Sequence, residues 1–373
     1  MSCDVQAMMA QNDESAEGDG GYYNPKLPAV KSTDVADWSL PDDQFTNHFH
    51  VPRAEDRYEI LAQLNVLSER DARITFDEEK HVYYVDGVRM PQSCTELLAK
   101  YRKPFIAEHA IAKMRKGKNW ITKRMQYKRR DGSEMSDEEI AEVWENAGKV
   151  SSARGTLMHW QIEQRLNGRR IEKPHSPEFS QFLAFARDWL WHGQRKVYRT
   201  EVNLFHTGLR VAGQVDLICL ETDGSFSIFD WKRSRHIKVD NPYENMLPPL
   251  DHLDDCNMNY YAMQLNLYRY ILETEYQRKV SAMYVVVLHP AQNKYEVIEV
   301  EDKKKEVAWV HLALQEEQYA SPSCCEVDAT LALCARGRKQ LEEKKVALDD
   351  ETAKRARLSL REYINGQENE HPG

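Results

Sequence analysis

The chain lacks a Cys-x-x-Cys pair. Its seven cysteines, at 3, 94, 219, 256, 324, 325 and 334, form no regular framework. Free thiols in a reducing compartment are therefore expected. No apolar run approaches the length of a membrane span, so no membrane partner is expected. The first 30 residues carry Asp4, Asp13, Glu14, Glu17 and Asp19 with almost no basic residues, which fits neither a secretory signal nor a mitochondrial transit peptide. Cytoplasm or nucleus is the expected setting. Excess positive charge is missing too: 51 Lys+Arg against 60 Asp+Glu give a net charge of −9. Any contact with nucleic acid must be a local patch. No Gly-x-x-x-x-Gly-Lys-Ser/Thr motif occurs, so a motor would be a separate chain.

The most informative stretch is Phe226-Ser227-Ile228-Phe229-Asp230-Trp231-Lys232. β-branched and aromatic residues after the turn signal Thr222-Asp223-Gly224 predict a strand. It ends in a carboxylate and an ammonium two positions apart. Side chains alternate along a strand, so Asp230 and Lys232 share a face. Burying that pair is expensive unless it is used. The preceding strand, Val211 to Leu220, carries Asp216 in an otherwise apolar run. A three-residue loop over Thr222–Gly224 pairs Glu221 with Ser225 and sets Asp216 opposite Asp230. A two-residue loop would put them on opposite faces. Two neighbouring carboxylates call for a cation, and hard oxygen ligands point to Mg²⁺ or Mn²⁺. An ordinary salt bridge at a strand end is the alternative.

Residues 1–70 read as an acidic region, largely disordered or loosely docked; 71–320 as the core, with a basic helical insert at about 105–150; 321–373 as a charged helical extension. Within Lys113–Arg130, nine of eighteen residues are basic, interleaved with Trp120 and Tyr127. That composition suits a nucleic-acid backbone with stacked bases, or a solvated basic helix face. Ser93 is expected to cap a helix. Ser136 opens another through about Ala147, and a separate helix is expected from Arg154 to about Asn167. That last helix carries Gly155-x-x-x-His159, with Glu163 one turn on. The spacing is not His-Glu-x-x-His, which excludes a zinc-protease reading. A helix from Asn257 to Tyr276 carries Gln264-x-x-x-Tyr268.

The order of these pieces is the signal. Gly155-x-x-x-His159 precedes three strands; Gly213-x-x-Asp216 lies on the second, Asp230-x-Lys232 on the third, and Gln264-x-x-x-Tyr268 follows. The arrangement resembles the RecB-like branch of the PD-(D/E)xK nuclease superfamily, over residues 155–268 with a core to about 300. The resemblance implies an α/β fold, a restriction-endonuclease-like mixed central sheet flanked by helices with helical extensions. It implies His159, Asp216 and Asp230 as metal ligands with the Trp231 backbone carbonyl assisting, and Lys232 as the catalytic lysine. Gln264 and Tyr268 would contact substrate. Glu163 and Glu201 are second-rank acidic candidates; Glu201 joins the Asp216 face only if the loop before Leu209 has two residues, not three. Trp120, Lys123, Arg124, Tyr127 and Arg129 are the candidate substrate contacts of the basic insert.

The implied reaction is Mg²⁺- or Mn²⁺-dependent hydrolysis of DNA, exonucleolytic on single strands or ends, with a separate helicase or recombination protein as a further partner. Some members of the branch hold an iron–sulfur cluster with one cysteine before the core and three after. Here the adjacent pair Cys324-Cys325 departs from that spacing, and a cluster is not expected. A catalytically silent, nuclease-like binding module is the alternative function.

Overall fold

The computed structural model describes residues 27, 29–31, 37–50, 59–191 and 195–320. The C-terminal extension, with Cys324, Cys325 and Cys334, and most of the first 36 residues lie outside them.

The central sheet is mixed. Strands β5 (Lys196–His206), β6 (Val211–Leu220) and β7 (Phe226–Lys232) form an antiparallel meander. β8 (Val280–Val287) then lies parallel to β7, and β9 (Glu296–Glu299) antiparallel to β8. A two-residue strand, β4 (Gln92–Ser93), runs parallel to the start of β6. A separate three-stranded sheet, β1 (Ile74–Asp77), β2 (Val82–Val85) and β3 (Val88–Arg89), opens on an antiparallel hairpin in which Asp77 faces Val82.

The three-residue loop forms. The Glu221 N–H donates to the Ser225 carbonyl at 2.9 Å, and Gly224 adopts φ +85°. That left-handed conformation favours glycine. The ladder that follows, from Leu220–Phe226 to Leu217–Phe229, has the register the loop dictates. It stops one step short of Asp216. Beyond it, among the described residues, β7 pairs with β8 alone, and Asp216 Oδ2 accepts the Trp231 N–H at 2.7 Å. The two strands thus part where the carboxylates sit.

Helices cover both faces. Helix α8 (Asn257–Glu275), with α3 (Cys94–Ala99) and α9 (Lys304–Ala320), packs on Phe226, Ile228, Val285 and Val287. Helices α6 (Asp137–Leu166) and α7 (Pro177–Phe185) pack on Phe229, Trp231 and Val286. The alternation that makes strand faces thereby assigns each helix layer its own row of side chains. Ser93 and Ser136 both close capping boxes.

One expectation is corrected. The two helices foreseen over Ser136–Ala147 and Arg154–Asn167 are a single 30-residue helix, α6. Its second half is anchored by buried Leu157, Met158, Trp160 and Ile162. Once that half is fixed, continuing the helix adds one hydrogen bond per residue, which outweighs the poor propensity of Gly148 and Gly155. Upstream, α1 (Asp42–His48) docks on α6 by burying Phe45, and the Arg154 guanidinium donates to the Trp38 and Leu40 carbonyls, both at 2.8 Å. The basic insert holds α4 (Ala107–Lys116) and the short α5 (Trp120–Lys123), with a hairpin closed at Lys128–Glu134. The remaining helix, α2 (Ile60–Leu64), packs beside β5.

Candidate active site

The loop between β5 and β6 has four residues, Thr207–Arg210, rather than the two or three considered from sequence. Its register sets Thr200 against Leu217 and Val202 against Val215, so Glu201 lies across from Asp216. Glu201 has φ +46°, a conformation uncommon for a side-chain-bearing residue and typical of functional sites. Regular alternation breaks there: Val215 belongs to the core under α8, and Leu217 to the core under α6. The kink directs Glu201 and Asp216 to the site that His159 reaches from α6. His159 Nδ1 lies 3.5 Å from Glu201 Oε1 and 3.7 Å from Asp216 Oδ2. One ligand atom from each of the three falls within 4.8 Å of the others.

The other ring nitrogen fixes the chemistry. His159 Nε2 is 3.2 Å from the Trp231 carbonyl oxygen, so Nε2 carries the hydrogen and donates. A neutral ring would then aim its Nδ1 lone pair at two carboxylates, an arrangement that demands a proton or a metal cation. Burial alone would push the His159 imidazole down; Asp216 and Glu201 outweigh it and carry it up to about 9. Burial also raises Asp216, and the Glu201 charge adds to that rise against the pull of His159. One imidazole and two carboxylates with these tensions are a donor set that fits a divalent ion.

Asp230 stands next to the cluster and is only 3% exposed. Its Oδ2 is 2.6 Å from Lys232 Nζ. Burial lifts the Asp230 carboxyl to about 6 against the pull of Lys232. Burial works against the Lys232 charge, but Asp230 and Asp216 hold the ammonium above its ordinary range. The Lys232 ammonium also lies over the Tyr261 ring, 4.8 Å from its centre. Sequence reasoning missed Tyr261. Its signal was position: it precedes Gln264 by one helical turn on the face of α8 that meets the end of β7.

The remaining candidates are placed as follows. Glu163 is buried outside the ligand cluster. Gln264 and Tyr268 are buried, and the Gln264 amide donates to the Tyr268 hydroxyl at 2.9 Å. In the insert, Trp120 stacks on Tyr127 at 6.1 Å, and Trp144 donates from Nε1 to the Tyr127 hydroxyl at 3.0 Å. Arg129 is engaged within the insert: it forks onto Glu139 and reaches Ser133 and the Glu134 carbonyl. Arg124 lies 3.8 Å from Glu134. Lys123 is exposed.

A mixed sheet flanked by helices, with acidic residues and a lysine gathered where two strands part, defines a restriction-endonuclease-like α/β protein. The chain belongs to the PD-(D/E)XK nuclease superfamily, which it matches over residues 106–371. No curated protein matches it. A solved structure titled "Crystal structure of SSO0001" is similar at 17% identity and a TM-score of 0.21, covering 42% of this chain. The match spans 66% of that chain, just under two thirds of its length. Among the described residues, no helix is long and apolar enough to cross a membrane.

Proposed function

We propose that the chain is a divalent-metal-dependent deoxyribonuclease of the RecB-like branch, acting exonucleolytically on single strands or DNA ends in repair, recombination or replication. The observation that carries this reading is the convergence of His159, Glu201 and Asp216 beside the Asp230–Lys232 ion pair. The branch assignment rests on the order of the four motifs along the chain.

His159, Glu201 and Asp216 would hold Mg²⁺ or Mn²⁺, and Asp230 keeps the ligand role implied by the resemblance alongside its ion pair. The ion, when bound, would offset the charge of the phosphodiester and of the departing oxygen. The chain's own groups do the rest. His159 stays oriented through its bond to the Trp231 carbonyl. Asp216 is braced by the Trp231 N–H. Lys232 supplies a compact cation for the phosphate oxygens. Water adds to phosphorus and gives up one proton, the P–O ester bond breaks, and the departing oxygen takes up a proton in its place. Any strand separation would come from a partner helicase or recombination protein.

The test is cleavage of end-labelled single- and double-stranded DNA with Mg²⁺, Mn²⁺ or chelator, comparing wild type with Asp230→Ala and Lys232→Ala. Metal-dependent cutting that falls by roughly 10²–10³ in both variants is expected. A folded wild type that binds DNA but cuts neither DNA nor RNA with either metal would leave a silent binding module.

A further inference from the structure

Part of α6 is left open among the described residues. Trp144, Gly148, Ser152, Gly155 and His159 follow at spacings of three and four residues, so they share one stripe of the helix. A Cβ added at Gly148 or at Gly155 would meet nothing within 4 Å. Glycine is the poorest helix former after proline, and nothing among the described residues uses the space it leaves.

The outer end of the stripe carries rings. Phe105 is 74% exposed and its ring lies 6.1 Å from that of Trp144. Tyr127 meets Trp144 edge-on at 6.4 Å, and Trp120 continues the row. Ile121 and Met125, close to Trp120 and Tyr127 in sequence, are exposed as well. Lys116, Lys118, Lys123 and Arg130 are exposed, and none makes an ion pair among the described residues. Rings for base faces and unpaired cations for phosphates are the two parts of a single-strand surface. A duplex keeps its base faces inside the stack, where exposed rings cannot reach them.

We propose that this face is the path of single-stranded DNA: bases stack on Phe105 and Trp144, and the strand runs over Gly148 and Gly155 to His159. The proposal rests on the nuclease reading above and adds the substrate form and its route. Trp144 and His159 are 159 − 144 = 15 residues apart in one helix, about 22 Å at the helical rise. At the duplex rise of about 3.4 Å per nucleotide the path holds about six nucleotides, and fewer if the strand is stretched.

The test compares sixteen- and four-nucleotide oligothymidylates, and a sixteen-base-pair duplex, on wild type, Gly148→Leu and Phe105→Ala. Leucine is the better helix former, so Gly148→Leu is expected to melt higher than wild type while its side chain stands in the path. The ratio of kcat/KM for the long strand to that for the short one is expected to fall roughly tenfold in each variant, with wild type favouring the single strand over the duplex. A stable Gly148→Leu protein with the wild-type ratio overturns the path, as does a wild type that treats duplex and single strand alike. If wild type cuts nothing, the nuclease reading fails instead, and fluorescence anisotropy with the labelled strands reads the path alone. Tighter binding of the long strand that Gly148→Leu abolishes would support it; equal binding would overturn it.

Discussion

Gly213 on β6 lies so close beneath Tyr268 of α8 that a Cβ at Gly213 would stand 2.6 Å from the ring carbon Cε1 and 3.0 Å from Cys94 Sγ. The missing side chain lets the helix settle onto the strand three residues before Asp216. Gly213→Ala is therefore expected to cost about 1–3 kcal/mol of stability, as overpacking does. Pairing it with Tyr268→Leu should recover part of the loss. Denaturant midpoints of the two single variants and the double variant check both statements; additive losses would show that the two sites do not touch.

The hairpin between β6 and β7 was legible because Thr222-Asp223-Gly224 specifies one loop, and the loop specifies the register. The capping serine Ser93 was legible for the same local reason. The ligand geometry was not. It depends on a left-handed residue at Glu201, which carries no glycine or asparagine signal, and on the four-residue loop Thr207–Arg210. Strict alternation keeps Asp216 beside Asp230; the kink turns Asp216 toward Glu201 and His159, and Asp230 pairs with Lys232. Helix α6 was read as two because small residues interrupt its apolar pattern, whereas the tertiary anchoring that keeps it whole comes from residues far along the chain.

Tyr261 is expected to act as a positioning residue for Lys232. A cation over an aromatic face gains roughly 0.5–2 kcal/mol, enough to bias where a flexible ammonium sits. Tyr261→Ala should lower kcat on DNA about tenfold with little change in KM, and Tyr261→Phe, which keeps the ring face, should restore most of the rate. Steady-state kinetics of the two variants decide it. Equal losses in both would point to the hydroxyl instead.

His206 links stability to pH. Burial pushes its imidazole down to about 3, with His311 and Arg70 adding to the fall. The geometry agrees, because Nδ1 accepts the Leu209 N–H at 3.0 Å and cannot take a proton without breaking that bond. Glu275 lies 3.5 Å from Nε2, but its other oxygen holds Arg70 at 2.6 Å. Between the ordinary imidazole value near 6.5 and about 3, the unfolded chain binds a proton that the folded chain refuses. The contribution is complete above about pH 6.5 and is lost as the pH falls through that window. Urea midpoints taken from pH 7.5 down to 5 should fall, and His206→Gln, whose amide oxygen can accept the same N–H, should flatten part of that slope.

Arg129 and Lys123 carry the same charge in the same insert and are expected to do different work. Arg129 closes the hairpin onto the start of α6: Glu139 is both its ion-pair partner, at Arg129 Nη2, and a member of the Ser136 capping box. Arg129 draws the Glu139 carboxyl down to about 2, so the contact persists in mild acid. Arg129→Ala should loosen the insert, seen as faster amide exchange over residues 124–139. Lys123 is exposed and has no ion pair among the described residues. Lys123→Ala should leave exchange unchanged, weaken DNA binding for all sequences alike, and reduce the slope of log affinity against log salt by about one. The opposite assignment, with Arg129→Ala changing the salt slope and not the exchange, would mean that the hairpin opens to give its guanidinium to phosphate.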